Sequence, residues 1–345
     1  MSVDQAVLLQ GRRLDRPRAI GTSAAGLAVA LVLFAVTPLQ GRADFVVVGY
    51  LFAVGAYLLA AARTEGRRSV VDRLVGVLMV TAVAVCLMGL GAVLVYTAAR
   101  GVKAMSGDFF THSMAGVGPR DTNGGAYHSI LGTLEQVLLA TLISVPTGLL
   151  VAVYLTEYGR GWIAAAVRAL IDMMVGIPSI VAGLFVFAFW VLALHQGFSG
   201  LAAAIALSII MLPIIVRSAE EMIKLVPANL REASYALGIP RWRTVLRVVL
   251  PTASAGITTG VMLAIARVTG ETAPLLLTAF GFDSIHRDPF HGPQSSLPLF
   301  VFSQAGSAFT TAVNRAWAGA LTLIVVVLLL TVAARLVTRR NRLVA

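Results

Sequence analysis

Two residues of opposite charge, Arg267 and Glu271, lie inside the apolar run 249–276. A spacing of four places their guanidinium and carboxylate on one face of a helix, close enough to pair. An ionised side chain at the centre of a membrane helix costs about 2.5–3.5 kcal/mol on insertion scales, so each such group needs a partner or an aqueous path. Two interpretations follow. Either the arginine meets an anion when the pair opens, or the pair only locks two helices together.

Two other polar residues interrupt apolar runs and join Arg267 and Glu271 as candidates for a path through a membrane. Ser179 follows a Gly-Ile-Pro sequence inside the run 167–194. A proline there frees a backbone carbonyl, which is tolerated where it lines a cavity or meets a neighbouring helix. Arg217 lies at the end of the next run. For this arginine the alternative is that its long side chain only reaches the membrane surface.

The sequence predicts no enzyme activity, no cofactor site and no metal site. A phosphate-binding P-loop needs Gly-Lys-Ser/Thr, and neither of the two lysines, Lys103 and Lys224, follows a glycine. If this protein uses ATP and Mg²⁺ as an energy source, a partner must therefore bind them. His286 and His291 lie near two aspartates, but they lack a helical spacing that would bring them together, which favours a solvated loop over a metal site.

A polar, basic stretch, residues 227–251, separates two apolar runs and is predicted to form two short helices. Pro227 suits a first helical turn, Gly238 is placed for a left-handed helix end, and Pro240 opens the next helix. A short helix with an apolar stripe and a charged rim, to which Glu232 belongs, fills a groove on a soluble partner. The alternative is a solvated loop with helical character.

The composition is that of an integral membrane protein. The chain is 58% hydrophobic and 12% charged, whereas soluble domains are about 45–50% apolar and about 25% charged. Eight runs are near the length of about 20 residues that crosses a bilayer. They are 20–37, 45–62, 73–98, 129–155, 167–194, 199–219, 249–276 and 315–337. An even number of spans places both termini on one side of the membrane.

The basic residues indicate which side that is. Of the 27 lysines and arginines, 20 lie in segments on the side of the termini, six lie on the other side, and Arg267 lies within a span. Because such residues accumulate in cytoplasmic segments, both termini and the stretch 227–251 are predicted to be cytoplasmic. The net charge of +11 therefore reflects basic residues that accumulate on one side of the membrane, and no nucleic-acid partner is predicted. On the opposite side we expect Phe109 and Phe110 to anchor a loop at the interface, and residues 297–302 to lie along the surface.

The stretch 227–251 resembles the signature of the membrane subunits of ABC importers, in which it is the coupling helix that docks on a cytoplasmic ATPase. The residues that carry this resemblance are Glu232, Ala233, Gly238, Leu250 and Pro251. Residues 176–183, 211–217 and 266–275 look like the A-type permease subunit of the phosphate ABC transporter family. The match covers roughly residues 105–337, and the first 70 residues depart from the usual six-span plan.

The resemblance implies an all-α polytopic fold, the transmembrane domain of a type I ABC importer. Residues 71–345 would form its six-span permease domain, and residues 1–70 would add two N-terminal spans. The implied partners are a related C-type permease, two ATPase subunits, an extracytoplasmic phosphate-binding protein and membrane lipid. The expected location is the inner membrane of a bacterium. The expected function is import of inorganic phosphate. The alternatives are a permease for another oxyanion or polar solute, and a membrane sensor of phosphate status.

Overall fold

The computed structural model describes residues 16–36 and 42–342, and within these ranges it contains helices and no strand. The helices are α1 Arg16–Val36, α2 Arg42–Thr64, α3 Arg67–Ala104, α4 Tyr127–Tyr158, α5 Gly161–Val175, α6 Ser179–Ala193, α7 Gly200–Lys224, α8 Ala228–Ala236, α9 Arg241–Thr269, α10 Ala273–Thr278, α11 Leu297–Ala305 and α12 Thr310–Arg342. A helix satisfies its backbone hydrogen bonds within one segment, as hydrocarbon requires. The all-α prediction is confirmed.

Six of the eight predicted spans are single helices in the described chain. These lie in α2, α3, α4, α7, α9 and α12, each long and apolar enough to cross a membrane. The first predicted run, 20–37, lies in α1 as far as Val36, and Thr37 lies outside the described residues. The predicted run 249–276 ends early, because α9 stops at Thr269. The cytoplasmic position of the termini stays a prediction.

The predicted span 167–194 is broken into two helices, α5 and α6, which are bent by 108° relative to each other. Proline lacks an N–H group, and it pushes the residue before it out of the helical region. Pro178 therefore ends α5, and the N–H of Gly176 closes the last turn by donating to the carbonyl of Met173 at 3.1 Å. The interruption was predicted from the sequence, whereas the size of the bend was not.

Internal contacts divide the chain into two units, residues 1–94 and residues 95–345, and each is described by itself. In the first unit α1 and α2 pack together. The turn between α2 and α3 is closed by Arg73, whose Nη2 lies 2.5 Å from Oε1 of Glu65 and whose Nη1 donates to the hydroxyl of Tyr57. The division into domains at residues 70 and 71 stays a prediction.

In the second unit α7 is the central helix, with α4 and α9 packed against it. The contact with α4 is made through small residues, among them Ala140, Ala203 and Ala204, all fully buried. Small side chains let helix backbones approach closely, which favours helix association in a membrane. This packing holds the middle of α7 in place beside the break between α5 and α6.

Two expectations about the surface opposite the stretch 227–251 are wrong in part. Leu297 and Phe300 are buried in α11, which packs against α4 and α12, whereas Phe302 of the same helix is exposed. Phe109 is also buried, in the same apolar cluster as Leu297 and Phe300, whereas Phe110 is exposed. These apolar side chains gain more from burial among helices than from contact with the membrane surface.

Candidate functional site

A cavity of about 360 Å³ lies between the break of α5 and α6, the middle of α7 and the end of α9. Eight of its ten described lining residues are apolar, while Ser179 supplies a hydroxyl and Arg267 a charge. Ser179 is in place because the break starts a new helix there, and Arg267 because it occupies the last turn of α9. Two of the four predicted path residues thus line the cavity.

The predicted pair is present, with Nη2 of Arg267 3.2 Å from Oε1 of Glu271. It spans the end of α9, since the helix stops at Thr269 and the N–H of Glu271 donates to the carbonyl of Val268. The two side chains are unequally exposed, 60% for Arg267 and 13% for Glu271. The carboxylate is therefore held within the protein, and the guanidinium is presented to the cavity.

Arg217, the remaining predicted path residue, is not among the residues that line this cavity. It lies one turn beyond Pro213, which does line it, and it contacts Asp172 of α5 and Glu220 of α7. Oε1 of Glu220 lies 3.4 Å from Arg168 and 2.8 Å from Lys224. Arg217 therefore belongs to an ion cluster between α5 and α7, and the part of this arginine in a path stays a prediction.

The coupling segment, residues 227–251, forms one of the two predicted short helices, α8, whereas the second is the start of the long helix α9, which continues into the span. α8 ends at Ala236, and Gly238 follows with a φ of +74°, the left-handed conformation expected of it. The hydroxyls of Ser234 and Thr244 lie 2.8 Å apart, which joins α8 to the first turn of α9. Glu232 and Ala233 are exposed on α8.

The coupling segment also exposes large apolar side chains. Leu237 is 79% exposed, Trp242 54% and Tyr235 42%. Apolar side chains that are exposed together beside polar groups mark an interaction surface. A partner that covers them would contact α8 and the turn around Gly238.

Leu250 and Pro251, the last residues of the predicted coupling set, have a different setting. Leu250 is half-buried against an apolar cluster that includes Val249. Its N–H donates to the carbonyl of Val245 across a π-helical turn, Val245–Val249. Pro251, which has no N–H, follows directly after Leu250. These two residues shape the start of the span, and their part in coupling stays a prediction.

Arg231 is the residue of the coupling segment that sequence reasoning missed. Its Nε and Nη2 donate to Oε1 of Glu157 at 3.1 and 3.0 Å, its Nη1 donates to the carbonyl of Val226 at 2.5 Å, and Nη2 also donates to the carbonyl of Ile223 at 2.9 Å. Glu157 lies 74 residues earlier, at the end of α4. A separation of this size leaves no local signal in the sequence.

At the opposite end of the second unit a buried amide pair was also missed. Nε2 of Gln136 donates to Oε1 of Gln294 at 3.0 Å and to the carbonyl of Ser295 at 3.3 Å, and the backbone N–H of Leu297 donates to Oγ1 of Thr133 at 2.7 Å. These bonds fasten the segment before α11 to the first turns of α4. They are not part of the cavity lining.

The loop with the two predicted histidines is solvated where its charges meet. Nδ1 of His291 lies 2.9 Å from Oδ2 of Asp288, and both side chains are at least half exposed. The hydrogen bond with His291 and a second one from the N–H of Phe290 hold the pKa of Asp288 below its usual value. Among residues 16–36 and 42–342, no group of three or more His, Cys, Asp or Glu side chains is placed to hold a metal ion.

Comparison with known proteins places these features in a family. The family model described as "binding-protein-dependent transport system inner membrane component" matches residues 144–343, a range that contains the cavity residues and the coupling segment. The phosphate transport system permease protein PstA 1 of Mycobacterium tuberculosis (strain H37Rv) is 44% identical over 282 residues, which are 80% of this chain and 92% of that protein. The corresponding PstA protein of Yersinia pestis is 41% identical over 251 residues, 72% of this chain and 84% of that protein.

A solved structure has the same fold at low sequence identity. In a bacterial alginate ABC transporter in complex with its alginate-bound periplasmic protein, one chain superimposes with a TM-score of 0.55 at 14% identity, over 78% of this chain and 95% of that one. The helical arrangement around the cavity is thus that of an ABC importer's membrane domain. This chain belongs to the family of inner membrane components of binding-protein-dependent transport systems, among the phosphate transport system permease proteins.

Proposed function

We propose that this chain is the membrane-spanning permease subunit of an ATP-driven importer of inorganic phosphate. The observation that carries the proposal is the exposed side chain of Arg267. This residue lies in an apolar span and lines the cavity between the helices. A permease for an uncharged solute has no use for a cation at this position. The names of the relatives at 41–44% identity supply the cargo.

The pair of Arg267 and Glu271 at the end of α9 suggests how an anion passes through the span. The nitrogen–oxygen distance between Arg267 and Glu271 is 3.2 Å, and the arginine side chain is 60% exposed, so part of the guanidinium is available to a second acceptor. Phosphate oxygens accept paired hydrogen bonds from arginine, and an entering phosphate competes with the carboxylate for them. While one partner replaces the other, no bare charge faces hydrocarbon.

Binding at this point is expected to be weak. Conduction and transport require that an ion also leaves its site, and the cavity offers Arg267 and Ser179 within a mostly apolar lining. Selectivity for phosphate would then belong mainly to the extracytoplasmic binding protein. Ser179 lines the same cavity, and its hydroxyl would donate a hydrogen bond to a passing anion.

Energy would come from two ATPase subunits, which bind ATP and Mg²⁺ and dock on the coupling segment. The exposed Leu237 and Trp242 of this segment support the assignment, because apolar side chains exposed beside charged ones mark an interaction surface. A related C-type permease would complete the path on the side where Arg267 is exposed. ATPase closure would then switch the spans between two arrangements.

The test is ATP-dependent uptake by proteoliposomes that contain the purified complex with its binding protein. We expect uptake of radioactive phosphate by the natural chain and a loss of about tenfold or more with Arg267→Ala, with unchanged phosphate affinity of the binding protein. Arg63→Ala, which removes an exposed arginine of the first unit, is the control and should leave uptake unchanged.

Three results contradict the proposal. Uptake of sulfate or of an uncharged solute in place of phosphate would show a different permease. Co-purification of a kinase, without an ATPase or a second permease, would favour the membrane sensor. Undiminished phosphate uptake by Arg267→Ala would remove this arginine from the path.

A further inference from the structure

We propose that Arg231 is a positioning residue that fastens the coupling helix α8 to the ends of α4 and α7, so that a push on α8 moves both spans. The proposal rests on the proposed function, because a partner ATPase must supply the push. Arg231 lies outside the set of coupling residues that the sequence predicts.

The first argument is the number of elements that one side chain joins. The guanidinium makes four hydrogen bonds, to the carboxylate of Glu157 on α4 and to the carbonyls of Ile223 and Val226 at the end of α7. The side chains of Arg231 and Glu157 are 19% and 5% exposed. A largely buried guanidinium with three acceptor residues holds α8 in position, because all of these hydrogen bonds would be lost together if α8 moved away.

The second argument is that the acceptors suit an arginine. The last carbonyls of a helix have no partner within the helix, and the helix dipole makes this end negative. Arg231 meets one such carbonyl, that of Ile223 in the last turn of α7, and also the carbonyl of Val226, two residues beyond this helix. A planar guanidinium reaches a carboxylate and two carbonyls at once, whereas the compact ammonium of a lysine cannot match that geometry.

The third argument concerns the end of α4. The last turn of α4, Tyr154–Tyr158, is π-helical, and the N–H of Gly159 donates to the carbonyl of Tyr154 across it at 2.5 Å. Such wide turns often occur at functional sites. Glu157 in this turn holds α8 through Arg231, and the ring of Tyr158 lies 5.0 Å from the guanidinium carbon of Arg241 at the start of α9. One turn of α4 therefore contacts both helices of the coupling segment.

The consequence for transport is mechanical. α8 is joined to the spans covalently through the short links at its two ends, around Pro227 and around Gly238. Without the bonds of Arg231 these links would let α8 shift under the ATPase while α4 stays in place. ATP hydrolysis would then continue without the movement of the cavity, which is uncoupling.

The experiment compares ATP hydrolysis with phosphate uptake in proteoliposomes that hold the whole complex and its binding protein. For Arg231→Lys we expect assembly and basal ATP hydrolysis as in the natural complex, and a fall of about tenfold in phosphate imported per ATP hydrolysed. Glu157→Gln, which keeps the shape of the side chain, should show the same defect to a smaller degree. Arg160→Lys, at an exposed arginine three residues beyond Glu157, is the matched control and should behave as the natural chain.

Two results would overturn the proposal. One is a natural ratio of phosphate to ATP in both variants. The other is the absence of both variants from the purified complex, since the pair would then be needed for folding or assembly. If the natural complex hydrolyses ATP in response to its binding protein but imports no phosphate, the proposed cargo is wrong. In that case the natural chain and the variants are compared by how strongly the binding protein stimulates ATP hydrolysis, and this measurement takes the place of phosphate uptake.

Discussion

Arg267 and Glu271 differ from an ion pair that only joins helices in how they are exposed. A structural pair gains most when both charges are shielded from water, because the attraction weakens in a polar medium. Arg73 and Glu65, in the first unit, have side chains that are 21% and 4% exposed. Arg267 is 60% exposed, whereas its partner Glu271 is 13% exposed. The residue thus has the accessibility of a binding group.

Exchanging the two charges separates these roles. In the chain with Arg267→Glu and Glu271→Arg the pair is kept, but the cation is moved to the shielded position. We expect ATP-dependent phosphate uptake to stay about tenfold or more below the natural level. The same exchange at Arg73 and Glu65 is the control, and uptake should be largely retained there. Natural uptake by the first exchange would leave Arg267 and Glu271 as a structural pair.

At the scale of elements, the turn between α8 and α9 depends on one backbone conformation. Gly238 has a φ of +74°, and a Cβ added there would meet no atom within 4 Å. We therefore expect a substitution to act mainly through the backbone. A β-branched residue in this region is strained, by about 1–2 kcal/mol or more, whereas asparagine adopts it readily.

We expect Gly238→Val to lower both phosphate uptake and the amount of ATPase that co-purifies with this chain, because α8 would no longer be presented at its angle. Gly238→Asn should retain most of both. The measurement is pull-down of the complex from solubilised membranes, followed by uptake after reconstitution. Equal behaviour of the two variants would mean that the left-handed turn is unimportant for docking.

The contact between α6 and α10 is limited by a second glycine. A Cβ on Gly183 would lie 2.6 Å from Cα of Pro274, so α10 would have to move. We expect Gly183→Ala to reduce stability by about 1–3 kcal/mol, in the range of overpacked cores. Gly176→Ala, where the nearest atom is 3.6 Å away, is the control. Thermal unfolding of the purified variants checks this, and an unchanged melting temperature for Gly183→Ala would contradict it.

The features that were predictable from the sequence are those set by neighbouring residues. Pro178 breaks a run, Gly238 ends a helix, and Arg267 pairs four residues along; each effect acts within one turn of chain. Arg315 shows what was not predictable. It was counted only as a charge outside the membrane, yet it is 6% exposed and donates to the carbonyls of Gly118, Asp121 and Asn123. These partners lie more than 190 residues earlier, and backbone carbonyls leave no mark in a sequence.

For the molecule as a whole, the distribution of arginine predicts a cytoplasmic coupling segment. Labelling tests this directly in intact cells after Cys86→Ala, which removes the exposed thiol of α3. We expect Asn123→Cys and His291→Cys to react with an impermeant maleimide from outside, and Asn229→Cys to react only after permeabilisation. All three positions are exposed. Reaction of Asn229→Cys in intact cells would reverse the predicted orientation.

The amide contact between Gln136 and Gln294 also sets the order in which the second unit is completed. These residues are 158 positions apart, and ribosomes add about 5–20 residues per second. The first turns of α4 therefore wait about 8–30 s, by that rate, before the segment that satisfies their polar side chains has been made. Although α4 is made early, it reaches its final contacts only when the chain beyond Gln294 has been inserted. The end of the second unit opposite the coupling segment is thus completed last.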